Sequence, residues 1–223
     1  MYEKLEFRYA RESLKYLIKL INIKKLYLPY YLCDVIRHSV IATGCKPMFY
    51  HINDKFFPAI EFDKSDYILY PNYFGVCEDN VNKLEKLYPK LIVDNAHAYY
   101  LPPQGLACFN SKRKFLQVPY GSELYVKKEA ELLVADTICN CGKRIEKFKY
   151  YNDVYGEANL LKFDKTPKSP FCYPFLAKTE EEANIIANKL IEEGKIIYRY
   201  WNNLPQSYNE YKFYSRMVPI PLV

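Results

Sequence analysis

Two short stretches of the chain carry side chains that could do chemistry together. Asp94 follows the apolar run Leu91-Ile92-Val93 directly, so a carboxylate stands at the end of a predicted buried strand. Such a carboxylate is costly to bury unless a cation or hydrogen-bond donors meet it. The second stretch contains Ser111 and Lys114, which are three residues apart and can face one ligand from a single turn. Apolar neighbours and other cations disfavour the ammonium form of a lysine, and this is the condition for forming an imine with a carbonyl compound.

Each stretch also has a simpler explanation. An aspartate after a strand is often only a cap on the next turn, and this interpretation of Asp94 stays open. The run Lys112-Arg113-Lys114 is, by itself, more typical of a solvated basic surface than of a reactive site. The chemistry therefore depends on whether the fold brings the two stretches to one place.

The first half of the chain alternates between short apolar segments and amphipathic ones. Helical spacing of apolar residues predicts helices over 9–21, 33–43 and 80–88. Short apolar runs predict strands over 25–28, 46–52, 67–70 and 91–93. Gly44 is placed to end the second helix. This alternation predicts an α/β fold with a mostly parallel sheet, in which ligands bind where the strands end.

The second half of the chain is less regular. Thr179-Glu180-Glu181-Glu182 predicts a capped helix that runs to Glu193 and ends at Gly194, and Ile196–Tyr198 is predicted as a strand. We expect three parts: a major domain at 1–138, a connector at 139–170 and a small C-terminal α+β subdomain at 171–223.

Composition narrows the class of protein. With 223 residues, of which 50% are hydrophobic and 26% charged, the chain is expected to be globular and to build its own core. No apolar run approaches the roughly 20 residues of a membrane span. The first residues lack the apolar centre of a signal peptide, so we expect a cytoplasmic protein. The net charge of +6 is scattered along the chain, a distribution that does not favour nucleic acid binding.

The seven cysteines do not form a recognisable pattern. Their number is odd and their spacing irregular, so we expect them to be reduced and mostly buried. Cys139 and Cys141 are the one close pair, and no second pair lies near them to complete a zinc site.

Five segments, taken in order, resemble the DegT/DnrJ/EryC1/StrS family of sugar aminotransferases, which belong to the aspartate-aminotransferase superfamily. They are LPYYLC at 28–33, GCKP at 44–47, NYFG at 72–75, VDNAHA at 93–98 and FNSKRKFLQVPYG at 109–121. The resemblance implies a three-layer α/β/α sandwich with a mostly parallel sheet, in a shortened form. It also implies pyridoxal phosphate as the cofactor and a homodimer.

The resemblance assigns roles to three residues at the centre of the site. Lys114 matches the lysine that forms the aldimine and moves the proton during transfer. Asp94 matches the aspartate that pairs with the pyridine nitrogen and keeps it protonated. His97 matches a position that touches the cofactor ring or its 3-hydroxyl group.

Four further residues are assigned to the edge of the site. Ser111, Ala10 and Arg11 match positions near the phosphate, and Cys33 falls where a side chain stacks on the ring. The turn that begins the first helix differs from the family, because it has no glycine and places Glu12 close to the expected phosphate.

The resemblance implies an aminotransferase acting on an amino donor and a keto-sugar or sugar nucleotide, in surface polysaccharide biosynthesis. Two alternatives stay open. The chain is either a degenerate, catalytically inactive relative that serves as a binding or assembly partner, or an unrelated α/β binding module. No nucleic acid and no membrane is expected as a partner.

Overall fold

The computed structural model describes residues 1–128 and 142–222. The main sheet is built from β1 (Tyr2–Phe7), β2 (Lys25–Pro29), β3 (Lys46–Tyr50), β4 (Tyr67–Pro71), β5 (Leu91–Asn95), β6 (Ala107–Asn110) and β7 (Ser122–Lys127). The helices between these strands are α1 (Ala10–Leu20), α2 (Asp34–Ile41) and α3 (Glu78–Leu87). The later part of the described chain contains α4 (Gly142–Tyr155), β8 (Cys172–Leu176), α5 (Glu180–Glu192), α6 (Tyr211–Ser215) and β9 (Met217–Pro221).

The seven strands lie in the order β1-β7-β6-β5-β4-β2-β3. β3, β2, β4, β5 and β6 are all parallel, whereas β7 runs antiparallel to both of its neighbours. Because β1 is antiparallel to β7, it points the same way as the parallel strands. The carboxyl ends of six strands therefore meet at one edge of the sheet.

Alternate residues of the central strands face two separate cores. Leu69 and Ile92 pack on one side with Leu14 and Leu17 of α1. Their neighbours along the strands pack on the other side with α3 and with the C-terminal residues. This period of two gives the three-layer α/β/α sandwich that was predicted, with the sheet buried on both faces.

The C-terminal part is a smaller α+β unit. β8 and β9 pair antiparallel, and Tyr173 and Phe175 of β8 pack against α4 and α5. Cys172 and Leu176, on the opposite face of β8, belong to the same core as α3. Met217 of β9 belongs to that core as well, so both strands of the small sheet contact the main part of the molecule.

Most predicted elements are confirmed with small shifts of their ends. Gly44 and Gly194 follow α2 and α5 with positive φ values of 78° and 82°, and the hydroxyl of Thr179 accepts a hydrogen bond from the backbone N–H of Glu182 at 3.1 Å. The predicted strand at Ile196–Tyr198 is wrong: this stretch is neither helix nor strand, and the strand that pairs with β8 is β9.

Several further elements were not predicted from the sequence. Three of them are strands of the main sheet or of its edge, namely β1, β6 and β7. The segment predicted as a connector, 139–170, contains α4 among its described residues, whereas 139–141 lie outside the described part. The division into three parts stays a prediction.

Gly75 sits where two backbone segments come very close to it. A methyl group added there would collide with the carbonyl oxygens of Ser169 and His97, and the residue has a φ of 72°. The glycine therefore lets the turn at 73–75 pack directly against the backbone beside His97.

We predict that Gly75→Ala lowers the free energy of unfolding by more than Gly194→Ala does. Gly194 has a similar φ of 82° but open space around its α-carbon, so it isolates the cost of the left-handed conformation. That cost is about 1–2 kcal/mol, and the collision at Gly75 adds to it. Urea unfolding measures both variants, and equal losses would contradict the close approach.

Candidate active site

A cavity of about 520 Å³ opens at the edge of the sheet where the parallel strands end. The predicted site residues come from four places in the sequence, and all of them line this cavity: Ala10, Arg11, Cys33, Asp94, His97, Ser111 and Lys114. Adjacent strands explain the meeting, since Asp94 of β5 pairs in register with Phe109 of β6, and the second stretch follows β6 at once. The two stretches singled out by the sequence are thus in one place.

The start of α1 forms one end of the cavity. Tyr9, Ala10 and Arg11 line it, so the free backbone N–H groups of the first helical turn lie on this side. The Glu12 side chain is turned back along its own helix, where its Oε2 accepts a hydrogen bond from the backbone N–H of Tyr9 at 3.3 Å. Glu12 is not among the residues that line the cavity, so its carboxylate does not point at an anion bound there.

Asp94 is a buried carboxylate with a single hydrogen bond from the described residues. Its Oδ1 accepts from the backbone N–H of Ala96 at 2.9 Å. Burial raises the pKa of Asp94 to about 6, although the Ala96 N–H and the charge of Lys114 act in the opposite direction. The carboxylate is therefore held at a cost that a further cation or donor in the cavity would reduce.

Lys114 ends a single 3₁₀ turn that follows β6, and its side chain reaches the cavity. The turn is held at its base by the backbone N–H of Lys112, which donates to the carbonyl of Gly121 at 2.9 Å. Burial lowers the pKa of Lys114 to about 8, with Arg113 adding to the effect and the Asp94 charge opposing it. About one tenth of such a lysine is free amine at pH 7, roughly 300 times the fraction of an ordinary lysine.

Lys112, two residues earlier, has the opposite character. Its Nζ lies 3.2 Å from carboxylate oxygens of both Glu6 and Glu123. Burial lowers its pKa, but the hydrogen bonds to Glu6 and Glu123 outweigh this effect and raise the pKa overall. Lys112 is therefore held as a cation and is not among the residues that line the cavity.

His97 is buried among aromatic rings at the side of the cavity. Burial, and secondly the charge of Lys114, hold the pKa of His97 well below its ordinary value. The imidazole is therefore neutral at pH 7 and can offer one donor and one acceptor nitrogen.

Ser111 and Cys33 occupy the positions just before short helical segments. Ser111 precedes the turn that carries Lys114 and is buried, whereas Cys33 precedes α2 and is half-buried. The five described cysteines are all free thiols, as expected, and Cys139 and Cys141 lie outside the described residues. Within 1–128 and 142–222 no three ligand-type side chains are grouped as a metal site, and no helix has the length and apolar character needed to cross a membrane.

The C-terminal part contributes a wall of the cavity that was not predicted from the sequence. Phe171 and four consecutive residues line the cavity here: Tyr198, Arg199, Tyr200 and Trp201. Because Ile196–Tyr198 was predicted to be a strand, this segment was not assigned to the site. A signal was present, since three of the four are aromatic and Trp201 is the sole tryptophan of the chain.

Comparison with solved structures finds the same architecture in sugar aminotransferases. Spr1654 from Streptococcus pneumoniae, assigned as a sugar aminotransferase and solved in a PLP form, matches with a TM-score of 0.73 and 13% identity over 98% of this chain and 81% of its own. PseC from Helicobacter pylori, an aminotransferase involved in the biosynthesis of pseudoaminic acid, matches with a TM-score of 0.70 and 14% identity over 98% and 81%. NtdA from Bacillus subtilis, solved with bound PMP, has a TM-score of 0.72 and 12% identity over 98% and 68%.

Comparisons of the sequence alone find no match. No protein-family model matches the chain, and no curated protein does. At identities this low, the structural likeness establishes the fold. The resemblance drawn from five short segments is thereby confirmed in its architecture: the chain has the fold of the DegT/DnrJ/EryC1/StrS sugar aminotransferases.

Proposed function

We propose that the protein is a pyridoxal-phosphate-dependent aminotransferase that moves an amino group from an amino donor to a keto-sugar or a similar small acceptor. The observation that carries the proposal is the meeting of Lys114 and Asp94 at one cavity, in a fold shared with proteins solved in PLP and PMP forms. Surface polysaccharide biosynthesis is the pathway that the resemblance favours.

The residues of the cavity fit the three chemical parts of pyridoxal phosphate. A carboxylate at Asp94 suits a protonated pyridine nitrogen, and a partly deprotonated amine at Lys114 suits an aldehyde. The start of α1 suits a phosphate, because helix N-termini bind anions through their free N–H groups. The Glu12 carboxylate is bonded to the backbone N–H of Tyr9 and does not line the cavity, which lessens the repulsion that the sequence led us to expect there.

Each residue then has a defined task. Bound pyridoxal phosphate supplies an electron-withdrawing ring and an aldehyde that reacts with amines. Asp94 would accept the pyridine N–H and stay ionised beside it. Lys114, as the free amine, would take a proton at Nζ and return it. Ala10, Arg11 and Ser111 would hold the phosphate, and neutral His97 would offer a hydrogen bond without adding charge next to Lys114.

One observation favours the alternative of a degenerate relative that binds or assembles without catalysis. Cys33 lies where a ring-stacking side chain is expected, and its thiol covers less area than an aromatic ring. The visible absorption spectrum of purified protein, with and without added pyridoxal phosphate, separates the two readings. A catalytic protein binds the coloured cofactor at Lys114, whereas an empty fold stays colourless.

We predict that borohydride treatment in the presence of pyridoxal phosphate attaches the cofactor to Lys114. The low pKa and the open cavity favour reaction at its amine, whereas Lys112 is tied to two carboxylates. Peptide mapping by mass spectrometry locates the adduct. Lys114→Ala is expected to abolish the label and Lys112→Ala to keep it, and an adduct on Lys112 alone would refute the assignment.

We predict that Asp94→Asn makes the cofactor-free protein more resistant to unfolding at pH 7 while it lowers activity about a hundredfold or more. The folded-state pKa of about 6 lies above the ordinary value of 3.8, so the native state binds more protons between these values. Wild-type stability therefore falls as pH rises from about 4 to 6 on account of this group, and Asn removes that slope.

The control for this experiment is Asp54→Asn. A hydrogen bond from Lys212 lowers the pKa of Asp54, so its contribution to stability is present at pH 7 and is lost on acidification. Urea unfolding at pH 4 and pH 7 measures the free energy of unfolding of both variants. Relative to wild type at pH 7, this free energy should be higher in Asp94→Asn and lower in Asp54→Asn. Full turnover by Asp94→Asn would show that the carboxylate has no electronic role.

We also infer a homodimer with the cavity near its interface, as the resemblance implies. Ile196 and Tyr198 are 67% and 64% exposed, and Tyr198 also lines the cavity. Burial of such residues against a second copy would remove a large apolar area from water. The expected result of light scattering is twice the chain mass, reduced by Ile196→Glu and unaffected by Leu20→Glu at the far end of α1. A monomer across the micromolar range would contradict the inference.

A further inference from the structure

His97 lies in a stack of aromatic rings that its neighbours in sequence do not supply. The ring of Phe171 is nearly parallel to the imidazole, at 14° with a centroid distance of 4.6 Å. The indole of Trp201 is also parallel, at 9° and 5.7 Å. Both partners belong to the C-terminal part, more than seventy positions along the chain. Two rings from the C-terminal part therefore lie close to the imidazole and nearly parallel to it.

Trp201 is fixed in this place from several directions. Its indole packs edge to face with the rings of Tyr31 and Tyr73, at centroid distances of 4.4 Å and 5.7 Å. Two residues earlier, the Arg199 guanidinium donates to the carbonyl of Ser215 at 2.5 Å and to Asn184 Oδ1 at 2.6 Å. The irregular segment that crosses the cavity is therefore tied down at Arg199 and again at Trp201.

The backbone of Trp201 has an uncommon conformation. Its φ is 60°, in the left-handed region that a bulky side chain seldom adopts. Such a conformation persists only where the surroundings enforce it, and it is found most often at functional sites. No helix or strand requires the turn at this point. What the turn achieves is the placement of the indole against His97.

We propose that Trp201 is a positioning residue: it holds the imidazole of His97 in one orientation and keeps water from it, so that a ring nitrogen is presented to the cavity. The consequence for the site rests on the proposed function, because the ligand of that nitrogen is the cofactor or its substrate. The contact itself belongs to the protein alone.

The physical consequence concerns the charge of His97. Because burial is the first cause of its low pKa, an indole that excludes water helps to keep the ring neutral. Removing the indole would admit water and allow the ring to take a proton. A cation would then stand beside Lys114, which would hold its own proton less readily, and the orientation of the ring would be lost.

The test is a proton NMR titration of the histidines in the full chain without added cofactor. The chain has three histidines, and the signal that is missing from the spectrum of His97→Gln belongs to His97. Trp201→Ala is expected to move the midpoint of the His97 titration upward by about one pH unit or more. Trp201→Phe keeps a flat ring in place, so the midpoint of the His97 titration is expected to stay close to that of wild type. A folded Trp201→Ala protein with an unchanged His97 titration would overturn the proposal.

A second measurement needs no change at Trp201. Since it is the sole tryptophan, the fluorescence of the wild-type protein reports on its surroundings alone. A protonated imidazole in contact with an indole quenches its emission, so emission should fall with the same midpoint as the NMR titration. His97→Gln should abolish that step. An identical pH profile in His97→Gln would show that the two rings are not in contact.

These outcomes are separate from those of the proposed function. Absence of a cofactor adduct at Lys114 would refute the aminotransferase and leave the His97 titration as evidence on Trp201. An unchanged titration in Trp201→Ala would refute the positioning role and leave the adduct as evidence on Lys114.

Discussion

The site depends on the burial of two opposite charges that share one cavity. Removal from water penalises both the Asp94 carboxylate and the Lys114 ammonium, and the attraction between them repays part of that penalty. The two pKa values, about 6 and about 8, lie on either side of neutrality. Both groups are therefore charged at pH 7, yet each is close to losing its charge. Groups in this condition exchange protons at little cost, which is what acid–base chemistry requires.

The sheet beneath this pair of residues fixes their positions relative to each other. Asp94 and the stretch that leads to Lys114 follow neighbouring parallel strands, whose register is fixed by apolar residues on both faces. A slip of one residue would exchange the two faces, moving Ile92 into the core of Val93. The register that fills both cores is thus also the register that brings the charges together. The same strand register is therefore needed for the stability of the layers and for the geometry of the site.

The sequence predicted the parts of this arrangement that depend on neighbours in the chain. Asp94 after a buried run, the turn with Ser111 and Lys114, and the cap at Thr179 are local patterns with local causes. Pairing between distant strands has no such pattern. β1 pairs with β7 more than a hundred residues later, and the apolar run Ile196–Tyr198 resembles a strand but pairs with none of the described strands. The aromatic wall of the cavity was missed for the same reason, because only tertiary contacts bring Trp201 to His97.

The abundance of tyrosine has a structural use that links this wall to the sheet. Tyr31, Tyr70 and Tyr73 are fully buried, and each hydroxyl donates to a backbone carbonyl at 2.9–3.3 Å. The acceptor of Tyr31 is Phe213 in α6, and Tyr73 donates in turn to the carbonyl of Tyr31. A buried tyrosine therefore contributes both apolar area and a directional bond, which phenylalanine does not. The Tyr31 bond ties α6 to the main part of the molecule, and the rings of Tyr31 and Tyr73 both pack near the indole of Trp201. The position of the wall, and through it the position of His97, is thus determined by the aromatic core together with the hydrogen bonds that hold Arg199.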